Sequence, residues 1–82
     1  MKNRIAAEWY TYAEATLADV PADSVQRTET RRAFYAGALA AYSQIMVNLT
    51  PGPDPQPADE QMLRDLDAEL HEFGEAVKRG LA

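Results

Sequence analysis

The chain's clearest chemical potential lies at the start of an expected long helix. Ser24, Arg27 or Thr28, Arg31 and Tyr35 recur at spacings of three and four, so one helical face presents them together, with Arg32 at its flank. A guanidinium is a planar fork of donors that grips phosphate or carboxylate bidentately. A tyrosine one turn away offers a ring on which a base can stack. Small residues follow at Ala33, Gly37 and Ala40, and with Gln44 they leave a shallow groove. Glycine inside a helix costs about 1 kcal/mol relative to alanine. Gly37 is therefore expected where another helix, a backbone or a ligand comes close. A purely structural reading competes, in which Arg27, Arg31 and Arg32 pair with Glu29 and with the acids of the last third of the chain.

Catalysis is not expected. The serines are Ser24 and Ser43, the sole histidine is His71, and cysteine is absent, so a nucleophile–base–acid set has no supporting motif. The four glycines stand isolated and form no phosphate loop. Asp67, His71 and Glu75 line one helical edge at i, i+4 and i+8. The Glu-x-x-His pattern of carboxylate metal bundles would need an acid where Ala68 stands, so an exposed acidic edge is expected, with no metal and no cofactor. The run Asp65, Asp67, Glu69, Glu72, Glu75 reads as a solvated face, or else as an imitation of a phosphate backbone offered to a basic groove.

Three helical segments must position these groups. In the first, about 4–19, Ile5, Trp9, Tyr12, Ala13, Thr16, Leu17 and Val20 form one apolar stripe, capped at Asn3 and stopped by Pro21. The second, about 23–48, starts at Asp23 or Ser24 and spans about 37 Å against about 24 Å for the first. Its second half (Phe34, Tyr35, Ala38, Leu39, Ala41, Tyr42, Ile45, Met46, Leu49) is apolar nearly all round, which predicts a central helix covered on several sides. Residues 50–58 carry alternating prolines and read as an extended linker. The third helix, about 59–79, is capped by Asp59 and closed by Gly80. Its apolar residues Leu63, Leu66, Leu70, Phe73 and Val77 alternate spacings of 3 and 4, a heptad seam expected inside a bundle of the same chain or against a second copy.

At 82 residues and −5 net charge, the chain is expected to be one acidic, all-α, three-helix domain. The charge is uneven: −1 over residues 1–20, +1 over 21–50 and −5 over 51–82. Such a balance disfavours direct nucleic-acid binding. A core this small usually needs disulfides, a metal or a partner subunit. Without cysteine, a helical homo-oligomer is the expected supplement, most simply a dimer, joined through Gly37 and the Leu63–Val77 seam. The longest apolar run, residues 33–42, is half a membrane span, and an acid at Glu8 precedes any signal-like apolar stretch. A cytoplasmic protein without membrane contact is expected.

The ten residues from Glu29 to Ala38 (ETRRAFYAGA), followed by a Pro/Gly/Asp linker and a short acidic helix, resemble small uncharacterised acidic helical proteins encoded by phages and prophages. The resemblance covers roughly residues 25–80 and carries no functional residue over. It implies a context: action against host immunity in the host cytoplasm, either by sequestering a nucleotide signal as an oligomer or by inhibiting a defence protein. The leading expectation is a non-enzymatic immune-evasion protein binding a small phosphorylated ligand. Arg27, Arg31 and Arg32 would contact phosphate, with Tyr35 or Trp9 stacking. The alternative is an acidic inhibitor whose third helix occupies the basic groove of a host defence factor, CRISPR-type or another nucleic-acid-binding protein.

Overall fold

Prolines and small polar residues set the helix limits. The computed structural model describes residues 2–82. It contains three helices, α1 (Arg4–Thr16), α2 (Val25–Asn48) and α3 (Pro57–Lys78), with no strand among the described residues. The expected all-α class and the three-helix order hold.

The helix ends differ from expectation in instructive ways. α1 stops at Thr16, whose hydroxyl turns back onto the Tyr12 carbonyl at 2.7 Å. Leu17 leaves the helix at φ −123° while its N–H still bonds the Ala13 carbonyl, and a turn closed by Val20 N–H on Leu17 O (3.0 Å) leads to Pro21. Of the two candidate caps of α2, Ser24 serves: its Oγ accepts the Arg27 N–H at 3.1 Å and donates to Pro21 O at 2.8 Å. α3 begins two residues earlier than expected, at Pro57, because proline needs no acceptor and presets φ at the first helical position. Gln56 is the N-cap, and Asp59 occupies N3 instead, where its carboxylate accepts the Gln56 N–H at 3.0 Å. The same carboxylate accepts the Thr50 N–H at 2.8 Å and so ties both ends of the proline linker. Gly80 closes α3 at φ 73°, with Leu81 N–H on Ala76 O at 2.8 Å and Gly80 N–H on Val77 O at 3.1 Å, a Schellman cap.

Two compact units make up the chain, one ending at Tyr42 and the other Ser43–Ala82, with α2 continuous through the boundary. The first is an antiparallel helical hairpin. Trp9 meets Phe34 edge-on with ring centroids 5.5 Å apart, while the carbonyl of Leu17 receives Arg27. Its core is Trp9, Ala13 and Leu17, at i, i+4 and i+8 of α1, only 3%, 1% and 7% exposed. Val20, Phe34 and Tyr35 pack against it. Tyr12 extends the ring cluster, 5.6 Å from Phe34, and aromatic pairs of this kind contribute about 0.5–1.5 kcal/mol beyond their burial.

In the second unit the one buried side chain is Asp59. Met62 and Leu66 are half-buried, but Leu63, Leu70, Phe73 and Val77 are 48%, 65%, 62% and 51% exposed. The seam expected inside a bundle of one chain therefore lies largely on its surface. Nor is α2 a covered central helix within one chain. It has no buried residue, and Leu39, Tyr42, Met46 and Val47 are each more than half exposed. In the hairpin the reason is length: α1 rises about 20 Å and α2 about 36 Å. Gly37 has nothing within 4 Å of where a Cβ would stand, so the close approach expected there is not made among the described residues.

Candidate functional site

The hairpin sorts the three arginines of α2 into three situations. Arg27 is half-buried, and its Nη1 donates to the carbonyls of Leu17 (3.0 Å) and Val20 (3.3 Å). Those carbonyls close the carboxyl end of α1, where unsatisfied acceptors and the negative end of the helix dipole attract a cation. Arg27 is thus a fastener of the hairpin, which removes it from the expected ligand contacts. Arg32 is exposed and bonded to Glu29 at 3.0 Å, one turn back. Arg31 has no carboxylate partner among the described residues, and its guanidinium lies 5.2 Å from the centroid of the Tyr35 ring. Of the acid pairings expected for the patch, Arg32 with Glu29 is present, while Arg27 is held by backbone carbonyls and, among the described residues, no arginine of α2 pairs with an acid of α3. Arg31 remains available.

Arg31 and Tyr35 form one wall of an open cleft of about 580 Å³. The other wall is the amino end of α1, with Lys2, Asn3, Arg4 and Tyr10. Among the described residues three cations and two tyrosines thus line the cleft, and no carboxylate does. A smaller recess of about 180 Å³ between Arg31, Arg32 and Tyr35 adjoins the same two residues. Asn3 is the N-cap of α1 but makes no side-chain capping bond, and no acid stands in the first turn. The first amides of α1 therefore keep their positive end without a side-chain acceptor, and Lys2 and Arg4 add charge of the same sign. Cations at a helix amino terminus are mutually unfavourable, and an anion relieves them.

Trp9, expected as a stacking residue, is 3% exposed and packed between Tyr12 and Phe34, so neither ring face is open to a ligand. The hairpin needs a large apolar side chain where α1 crosses Phe34, and Trp9 fills that place. Tyr10, on the neighbouring face, lines the cleft instead. Sequence reasoning missed Lys2, Arg4 and Tyr10. The signal was present: a short, proline-marked connection between two helical stretches makes them antiparallel neighbours and so brings the first residues of α1 beside α2.

Elsewhere, a groove of about 480 Å³ in the second unit is lined by Gln44, Asn48, Gln61, Met62, Asp65 and Glu69, among others, and carries acids without a cation. His71 Nδ1 lies 3.2 Å from an Asp67 carboxylate oxygen and 2.9 Å from the Asp67 carbonyl, on a fully open helix edge. Among the described residues no group of three His, Cys, Asp or Glu side chains is placed to hold a metal ion, and no helix is long and apolar enough to cross a membrane. No family model, curated protein or solved structure matches this chain.

Proposed function

We propose that the chain binds and sequesters a small phosphorylated ligand of nucleotide type in the cleft between the amino end of α1 and α2. One observation carries the reading: Arg31, without a carboxylate partner, faces Lys2 and Arg4 across a concave surface that holds no acid. In an acidic chain of net charge −5, such a concentration of positive charge favours an anion locally. Arg31 would grip phosphate with its fork, Lys2 and Arg4 would add point charges, and Tyr10 and Tyr35 would supply ring faces for a base. A volume near 580 Å³ suits a small molecule, since such sites run about 300–1,000 Å³.

The described residues that line the cleft include no nucleophile paired with a base, and the proposed role is binding without turnover. In the context implied by the phage resemblance, the chain acts in the host cytoplasm as a homo-oligomer that withdraws a phosphorylated immune signal. The alternative, an acidic inhibitor acting through α3, is less favoured because Glu60 and Glu75 are engaged by Arg64 and Lys78 along the same helix.

Isothermal titration with a panel of linear and cyclic nucleotides and inorganic phosphate tests the reading. Saturable binding that weakens with salt and is lost on Arg31→Ala is the expected result. No binding by any member of the panel, or binding indifferent to Arg31, overturns it.

A further inference from the structure

The two tyrosines of the cleft stand in different surroundings. Tyr35 is half-buried, and its ring is engaged. It packs against the core of Trp9, Ala13 and Leu17, Phe34 meets it edge-on with centroids 6.2 Å apart, and the Arg31 guanidinium lies over it at 5.2 Å. A cation and a stacked base use the same electron-rich ring face, so a face that carries a guanidinium is closed to a base.

Tyr10 is the converse case. It is 65% exposed. Among the described residues no other ring packs against it and no cation lies over it. Its neighbour on the same helical face is Ala6, one turn back, which also lines the cleft. Long side chains of a helix lean toward its amino end and cover the preceding turn. That lean carries the Tyr10 ring toward Lys2 and Arg4, with which it shares the cleft, and the single methyl of Ala6 is too small to cover it.

The size of the cleft agrees with this division. A bare phosphate is held by cations and needs no ring, and it fills only a small part of about 580 Å³. An uncovered aromatic face beside three cations suits a ligand that joins a flat ring to its anion.

We infer that Tyr10 is the specificity-determining residue of the cleft: its ring stacks the base of a nucleoside phosphate, while Tyr35 is a positioning residue that acts through Arg31. The inference rests on the phosphate-binding reading above and narrows its two ring faces to one.

Titration calorimetry with AMP, ADP and cyclic AMP, beside inorganic phosphate and pyrophosphate, separates the base from the anion. The wild type is expected to bind a nucleotide more tightly than the inorganic anion. Tyr10→Ala should weaken nucleotide binding by roughly 5- to 150-fold, as for the loss of one base–aromatic stack, and leave anion binding within about twofold. Tyr10→Phe should keep nucleotide binding, since the ring face is retained. Tyr35→Leu should weaken nucleotide and anion alike, and Tyr35→Phe should preserve both, because a phenyl face also holds a cation. Each variant is compared at a temperature where Trp9 emission shows a folded hairpin. A wild type that binds none of these probes removes the phosphate-binding reading and this inference together. Inorganic anions bound as tightly as nucleotides overturn the inference alone. So does a Tyr10→Ala loss that is absent or shared equally by the anion, and so does a Tyr35→Leu loss confined to nucleotides.

Discussion

Arg31 holds its guanidinium 5.2 Å from the centroid of the Tyr35 ring, one turn further along α2. The contact leaves the fork without a carboxylate partner and fixes its direction over a ring that is itself packed against Trp9, Ala13 and Leu17. A guanidinium so placed is oriented without being neutralised, as recognition of an anion requires.

Arg31→Ala is expected to weaken binding of the phosphorylated ligand by roughly 10- to 150-fold, the loss of charge-assisted bonds of about 1.5–3 kcal/mol. Arg31→Lys should restore only part of it, because an ammonium does not reproduce the planar fork. Thermal unfolding should change by no more than about 1 kcal/mol, since an exposed cation–π contact contributes about 0.5–1 kcal/mol. Titration calorimetry beside a melting curve checks both halves.

For Arg27→Ala the opposite pattern is expected. Removing the donor leaves the Leu17 and Val20 carbonyls without it and frees the turn between α1 and α2. Since half-burial weakens each bond, a loss of about 1–2 kcal/mol is expected, or a fall in Tm of roughly 4–16 °C. At temperatures where the variant is folded, ligand affinity should stay within about twofold of wild type. A variant that melts normally but binds poorly would return Arg27 to the ligand contacts.

Trp9 is the sole tryptophan, so its fluorescence reports the hairpin core. Emission should be blue-shifted in the native protein and move to the red on denaturation, with little change when ligand fills the cleft. Trp9→Ala should cost about 3–5 kcal/mol, the usual effect of emptying a buried aromatic site. Strong quenching by a nucleotide without any change in stability would show instead that the indole touches ligand.

Asp59 carries the pH dependence. The Thr50 backbone N–H holds its carboxyl below the ordinary value of 3.8, with further contributions from the Thr50 side chain and the Gln56 N–H, while burial acts the other way. A depressed native value means that the folded state binds the proton less readily than the unfolded chain. The stabilisation is therefore complete above the unfolded value and fades as pH falls through the native one. The amide resonances of Thr50 and Gln56 should titrate together with a midpoint under 3.8, and the first turn of α3 should fray across the same range. In Asp59→Ala that titration should vanish, and the linker should be loose at neutral pH. A midpoint at or above 3.8 would contradict the clamp.

The helix count, a cap for α2 at Asp23 or Ser24, the Gly80 closure and the proline linker were legible in residue types alone, because dihedral limits and capping are local and act over a few residues. So was the shared face of Arg27, Arg31 and Tyr35, which follows from helical spacing. The fate of each arginine was not. Arg27 and Arg31 stand one turn apart with the same chemistry, and only the antiparallel hairpin gives one the carbonyl end of α1 and the other its amino end. Likewise, periodicity marked both Trp9 and Tyr12 as apolar-face residues and could not say which would be sealed by Phe34. The heptad spacing from Leu63 to Val77 established a one-sided helix, whereas its exposure was decided by what packs beside it. Local rules choose the elements; burial and ionic partnership depend on residues far apart in the chain, and these meet only once the helices have packed.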